Sequence, residues 1–509
     1  MPTNSLMKKL FVHLLSYSLV ILALTSCYEE FDFTPEIVDK DKGVLIGGSK
    51  LFLDSENQIA LLPVNEYGDY EGVLKFPVNN QMIINEESIV NNQKFEFGDI
   101  TGESSYSLEL IKENGIIENY NLQFTLLPVL EIRHKYPEIL DDPKIIASFY
   151  LLDPSSNKYY EEYCGIETRG GSANHYSKKS YSIEFNKISS LDVEKNVSLF
   201  EMDPDDDWIL DASYIDQSNI RNRVSFEIWK DLQSESEEHD SIKMPSSTEG
   251  KYVELFINEE YRGLYCISEI IDEKRLNLND SEEQAFLYKS EQWSPATTYL
   301  GLPDTLGITT KWSEWEQKYP DPDELSIWKP LYEFVEFIYV SPDDEFSERI
   351  RDFLDMDQSM DYFILMNLIL GHDNAGKNLF LAKTSTEEPF FISPWDMDAS
   401  WGRNWEGIST TINGLVSFRI FNRLLSQNPD NYRENLKDRW FDLRSDVLSQ
   451  DNILEKFDQH YQEISLSGAA GREFEKWPES LPDFESELAY IDTWISGRLN
   501  VLDIYFNNL

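Results

Sequence analysis

Basic residues are scarce in this sequence. Its 509 residues hold 44 Lys and Arg against 93 Asp and Glu, a formal net charge of −49. With no basic footprint to release counterions, DNA and RNA are excluded as partners, whereas a basic partner is permitted. Cysteine and histidine are scarce too, three and six residues with no Cys/His cluster. A metal site therefore has to be built from hard oxygen ligands. There is no G-x-S-x-G elbow and no H-E-x-x-H, which removes the α/β-hydrolase and zincin chemistries. After residue 24 no apolar run approaches the ~20 residues of a spanning helix. Internal repeats and long low-complexity segments are also missing. What is there is a chain with 41% hydrophobic and 13% aromatic residues, enough to fold despite its charge.

Lys8 and Lys9, the apolar run Leu10 to Leu24 and "TSC" have the layout of a secretory signal. "LTSC" resembles a bacterial lipobox, which implies a lipoprotein signal peptide over 1–26, cleavage before Cys27 and lipid on its sulfur. The acidic "YEEFD" that follows resembles signals for the outer face of the cell. Cys164 and Cys266 lie in strand-like runs and are expected either as buried free thiols or as one disulfide.

Length suggests roughly three domain-sized units. From about Tyr28 to Leu126, runs such as "GVLKFPV", "QMIIN" and "YNLQFTLL" alternate with turn signals, the spacing of a small β-sandwich. After "LPVLEIRH" strand signals run through Ile145 to Phe185 and "YVELFINEEYRGLYCISEI", with a helical stretch from Asp216 to Leu232 between them. From Trp328 helices dominate: Trp328, Leu331, Phe334, Val335 and Ile338 recur at helical spacing, and Asp357 is the expected N-cap of a helix ending near Leu370. A sheet-rich half before a helix-rich half predicts two lobes with a cleft where they meet.

The chemistry gathers where that last helix ends. "GHDNAGKN" follows "MDYFILMNLIL", and "PWDMD" follows the strand-like "PFFISPW". Asp373 and Asn378 are five apart, the spacing at which protein kinases place a catalytic-loop Asp and a metal-holding Asn; Asp396, after the strand, matches their second metal ligand. Asp and Asn are common in turns, so the spacing alone needs no function. The acids downstream favour a site. A calcium loop starting at Asp396 fails, since position six is Trp401 and position twelve Gly407. Asp398 is either a second metal ligand or a structural cap. His372 is read as structural.

A phosphotransferase also needs a cation for the nucleotide. "RGGSANHYSKKSYSIEF" offers a Gly-bearing turn and two lysines entering a strand. Counting back from Tyr181, Ile183 and Phe185 puts Lys179 inward and Lys178 outward, and a bulge would reverse this, so both are kept. Glu227 and Glu269 are the acids available to orient the lysine.

Taken together, "ETRGGSANHYSKKSYSIEF", "WILDASYIDQSNIRNRVSFEIW", "VELFINEEYRGLYCISEIIDEKRL", "DYFILMNLILGHDNAGKNLFLAK" and "PWDMDASWG" resemble the CotH (spore coat protein H) kinase family, in its Bacteroidetes-type lipoprotein form. "SGAAGREFEKWP" and "WISGRL" fit as well. The resemblance covers about Leu127 to the C-terminus. It implies an atypical protein-kinase-like fold and phosphorylation of protein Ser with ATP and a divalent metal. Carried over by position, Asp373 is the catalytic-loop Asp, Asn378 and Asp396 hold the metal, and the Lys178/Lys179 pair meets the nucleotide.

The resulting expectation is an α+β protein: a signal peptide over 1–26, a β-sandwich (Ig-like) domain over 27–126, and a two-lobed kinase-like domain over 127–509 with a helical C-terminal half. Its expected activity is transfer of the ATP γ-phosphate to protein Ser/Thr with Mg²⁺ or Mn²⁺. Adenylyl transfer from the same site, or a catalytically silent surface adhesin, are the alternatives. Partners would be a protein substrate or surface partner, with the chain lipid-anchored at Cys27 on the outer membrane or cell surface.

Overall fold

The computed structural model describes residues 34–36, 43–171, 175–188, 190–235, 247–278, 284–302, 311–322, 325–478 and 484–509. The expected signal peptide and Cys27 lie outside the described residues. The first ten strands, from Leu45–Ile46 to Ile117–Thr125, form a four-stranded and a six-stranded sheet. Alternation sets their inner faces: along Ile117–Thr125, Tyr120, Leu122 and Phe124 are buried, and they share one core with Ile46, Leu74, Phe97 and Leu108. This is the sandwich that the turn spacing predicted.

The next sheet closes on itself. Val129–Arg133 pairs with Ile145–Asp153, and the ladder continues through Lys158–Arg169, Ser180–Ile188, Asp207–Asp211, Glu260–Ser268 and Gly250–Ile257. The last of these returns to Val129–Arg133 in a parallel pairing, Leu130 opposite Leu255. Seven strands thus make a barrel whose interior holds Ala147, Phe149, Cys164, Ile183, Trp208, Val253 and Tyr265. Every residue of Ile145–Asp153 is buried, because its outer face is covered as well. Tyr150 and Leu152 pack there with Phe52 and Leu61 of the sandwich and with Phe256 and Tyr261. Both Cys164 and Cys266 are buried free thiols, which decides between the two expectations.

The helix-rich half contains α1 (Arg221–Glu235), α2 (Lys329–Val340), α3 (Asp343–Phe353), α4 (Met356–Ile369), α5 (Arg419–Gln427), α6 (Tyr432–Arg444), α7 (Gln450–Leu466), α8 (Ala469–Lys476) and α9 (Phe484–Asn507). Asp216 lies ahead of α1 and caps it, its carboxylate accepting from Arg221 N at 2.8 Å. α2 buries Leu331, Phe334, Val335 and Ile338 as the periodicity required. The cap of α4 is Asp355, not Asp357. Its carboxylate accepts from the amides of Asp357 and Gln358, because the helix starts at Met356. α4 is buried nearly all round and ends at Leu370, whose φ of 55° turns the chain out of the helix.

An antiparallel five-stranded sheet lies against this helix, in the order Lys311–Trp312, Trp315–Tyr319, Phe286–Ser290, Leu379–Lys383, Phe391–Pro394. The last two are a hairpin joining the two motif loops, with Leu379 opposite Pro394. The chain is therefore α+β, with a sandwich, a closed barrel and a helical half.

Candidate active site

A cleft of about 630 Å³ opens between the end of the barrel and the loops around the hairpin. Asp373, Asn378, Asp396 and Asp398 all line it, as do Arg169, Asp211, Lys289, Trp293 and Lys377. The loop from α4 is a short 3₁₀ turn, His372–Ala375, held in place by Asn374. That buried carboxamide donates to Asn378 O at 2.9 Å and Trp395 O at 2.6 Å, tying together the residues beside both acidic positions. Tyr362 of α4 donates to Asn374 O at 2.6 Å, and Ser290 Oγ to Gly376 O at 2.7 Å. A Cβ on Gly376 would sit 2.7 Å from the Trp293 ring, so any larger residue there has to displace that ring.

Asn378 and Asp396 both adopt left-handed backbone, φ 55° and 52°, which Asn and Asp take more readily than other side chains. Their side chains meet, Asn378 Nδ2 donating to Asp396 Oδ2 at 3.2 Å. Asp396 lies on the cleft floor, where solvent reaches it through the mouth. The surrounding protein, then the Asp211 carboxylate, push its pKa up, against Arg169 and Lys377. Asp398 is raised further, by burial and by Asp396, Asp211 and Asp216. Burial also raises Asp373, with Lys377 and His372 opposing.

The "DMDASW" loop is held by α1. Asn222 accepts from Met397 N at 3.1 Å, and Arg221 donates to Ser400 O at 3.0 Å. Arg221 is itself buried between Asp216 and Glu487 of α9, and Arg403 joins the same carboxylate.

The barrel side departs from expectation. Of the two lysines kept, Lys178 is the inward one: it is fully buried and lines the cleft, while Lys179 is half-buried and does not. The strand begins only at Ser180, so its alternation does not extend back to either lysine. Lys178 uses its three donors on Glu473 Oε1 (2.7 Å), Ala212 O (2.9 Å) and Leu264 O. The orienting acid is thus Glu473 of α8. Glu227 instead meets His460 at 2.9 Å, and Glu269 meets Arg275 at 3.1 Å. Neither reaches the lysine, and neither lines the cleft. Glu473 stands within "SGAAGREFEKWP", a segment whose spacing alone suggests no role. Asp211 and Arg169 were missed in the same way, inside "WILDAS" and "ETRGG".

A loop carrying Asp and Asn five apart, a hairpin, and a second Asp beside that Asn in one cleft follow the loop order found in protein kinases. The family description "CotH kinase protein" matches residues 166–502, and the chain belongs to the CotH kinase family. The inner spore coat protein H of Bacillus subtilis (strain 168) is 23% identical over 246 residues, 48% of this chain. The match spans 60% of that relative's length. Family membership suggests an atypical kinase using ATP and a divalent metal. The donors fit such a metal in kind, being hard oxygens, and Asn378 and Asp396 fit it in place. Among the described residues no three His, Cys, Asp or Glu side chains are already gathered as a metal cage.

Proposed function

We propose that this chain is an atypical protein kinase that moves the γ-phosphate of ATP to Ser or Thr hydroxyls of proteins outside the cytoplasm. The observation that carries this reading is the convergence of Asp373, Asn378 and Asp396 on one cleft. Asn378 and Asp396 would hold a divalent ion, Mg²⁺ or Mn²⁺, with Asp398 beside them; when bound, that ion neutralises phosphate charge. Asp373 takes the proton of the acceptor hydroxyl as its oxygen bonds to the γ-phosphorus and the bond to the ADP oxygen breaks. Its carboxylate has solvent access through the cleft, and its raised pKa suits it to accept a proton.

The leader and "LTSC" support a lipid anchor at Cys27 and display on the outer membrane or cell surface, and the net charge of −49 supports a basic protein partner. The test is a thermal melt of the purified protein with ATP and Mg²⁺, followed by mass spectrometry of added basic proteins. At a hundredfold excess over the dissociation constant the fold should gain about 2.7 kcal/mol. Asp396→Asn should abolish that gain. Asp373→Asn should keep it and lose transfer. A mass gain of AMP in place of phosphate would support adenylyl transfer. No stabilisation by any nucleotide would favour the surface adhesin.

A further inference from the structure

We infer that Arg169, and neither lysine of the "SKKS" segment, is the barrel-side cation that grips the phosphates of the cleft's ligand; this rests on the kinase reading above. Lys178 cannot serve without dismantling its surroundings. Its ammonium is fully buried, and all three protons are engaged by a carboxylate and two carbonyls. Lys179 lies outside the lining.

Arg169 is placed differently. It is the last residue of the Lys158–Arg169 strand, directly before the Gly170–Gly171 turn, and it lines the cleft. Gly170 turns the chain with φ 97°, and a Cβ on Gly171 would meet nothing within 4 Å among the described residues. Among the described residues the Arg169 guanidinium makes no hydrogen bond and no ion pair; it lies over the face of Trp395, 5.7 Å to the ring centroid, and within the field of the Asp396 and Asp211 carboxylates. Trp395 is the neighbour of Asp396, so the fork of donors stands beside the proposed metal position. Planar guanidinium donors match two phosphate oxygens at once.

The surrounding charges agree. Lys289 also lines the cleft and is held below the usual lysine range by burial and by the positive charges of Lys318 and Arg169. Asp211, Asp396 and Asp398 line the same cleft. A cleft lined by Arg169, Lys289 and Lys377 together with Asp211, Asp396 and Asp398 offers partners both to an anion and to a cation. A polyphosphate with its metal is such a pair.

The test titrates the full chain with tripolyphosphate alone, then with ATP and adenosine, with and without Mg²⁺, by calorimetry. Arg169→Met should weaken tripolyphosphate and ATP on the order of tenfold or more, as loss of a bidentate charged contact does, and leave adenosine unchanged. Arg169→Lys should fall between. Lys179→Met should match wild type. Melts of the ligand-free variants establish that each is folded. Unchanged phosphate affinity in folded Arg169→Met, or loss in Lys179→Met instead, overturns the inference. Tripolyphosphate binding through Arg169 without any nucleotide binding would keep the inference and remove the kinase reading. No phosphate binding by the wild type removes both.

Discussion

Replacing Glu473 by Ala strands a charged lysine. Lys178 keeps two carbonyl partners but loses its counter-ion in a fully buried position. Breaking one side of a buried ion pair costs about 3–5 kcal/mol. In a unit this large roughly 2 °C of melting temperature goes with each kcal/mol, so a drop of about 6–10 °C is expected. Burial outweighs pairing for both groups: it pulls the Lys178 pKa down and pushes that of Glu473 up. The pair is therefore retained at a cost, and Lys178→Met with Glu473→Leu should recover about half the loss or more, since paired apolar replacement is often near neutral. In Glu473→Ala the folded chain binds Lys178's proton less tightly than the unfolded chain does. Its deficit should accordingly shrink as pH rises toward the alkaline range. Urea melts of the two single variants and the double variant close the cycle. A loss under about 1 kcal/mol in Glu473→Ala, or a double variant no better than it, would refute the reasoning.

Gly263→Ala should damage the same pair without touching either charge, because its Cβ would land on Glu473 Oε2 in a backbone at φ 96°; a melt close to wild type would contradict this. Asp361 is buried on α4 against Arg439 at 2.8 Å, and its pKa is raised to about 6 by burial. Between about pH 4 and 6 the folded state holds a proton that the unfolded state has released, so stability falls as pH rises. Asp361→Asn should gain on wild type by up to about 3 kcal/mol over that window, read by melts from pH 4 to 7.5. Phe52→Ala removes a buried ring from the cluster shared by sandwich and barrel and should cost about 3–5 kcal/mol. A chain beginning at residue 127 should then bind a hydrophobic dye more than full-length protein does, as Val129, Tyr150 and Phe256 become uncovered.

The legible part of the site was the part written locally. Asp373, Asn378 and Asp396 belong to one loop and one hairpin, so their spacing survives folding almost unchanged. The sandwich and the late helices were legible for the same reason, since alternation and helical periodicity are short-range signals. Barrel closure was not, because Val129–Arg133 meets Gly250–Ile257 in a parallel pairing that no turn announces. Counting from Tyr181 misassigned the lysines because Lys178 precedes the strand whose alternation was used. Glu227 and Glu269 were plausible by proximity in sequence, whereas the acid that does the work lies 295 residues from Lys178. Two acids at the start of α4 offered the same capping chemistry, and only the start of the helix separates Asp355 from Asp357.

That long reach has a consequence for the order in which the protein is made. Chain synthesis delivers residue 473 long after residue 178, 295 positions later, with Glu487, the anchor of Arg221, later still. Until those two acids arrive, the barrel-side lysine has no counter-charge and the loop bearing Asp396 has no finished support. The cleft is thus completed only once α8 and the start of α9 have been made. A polypeptide cut short between residues 398 and 473 carries every acidic residue of the site, yet lacks the part that holds it together.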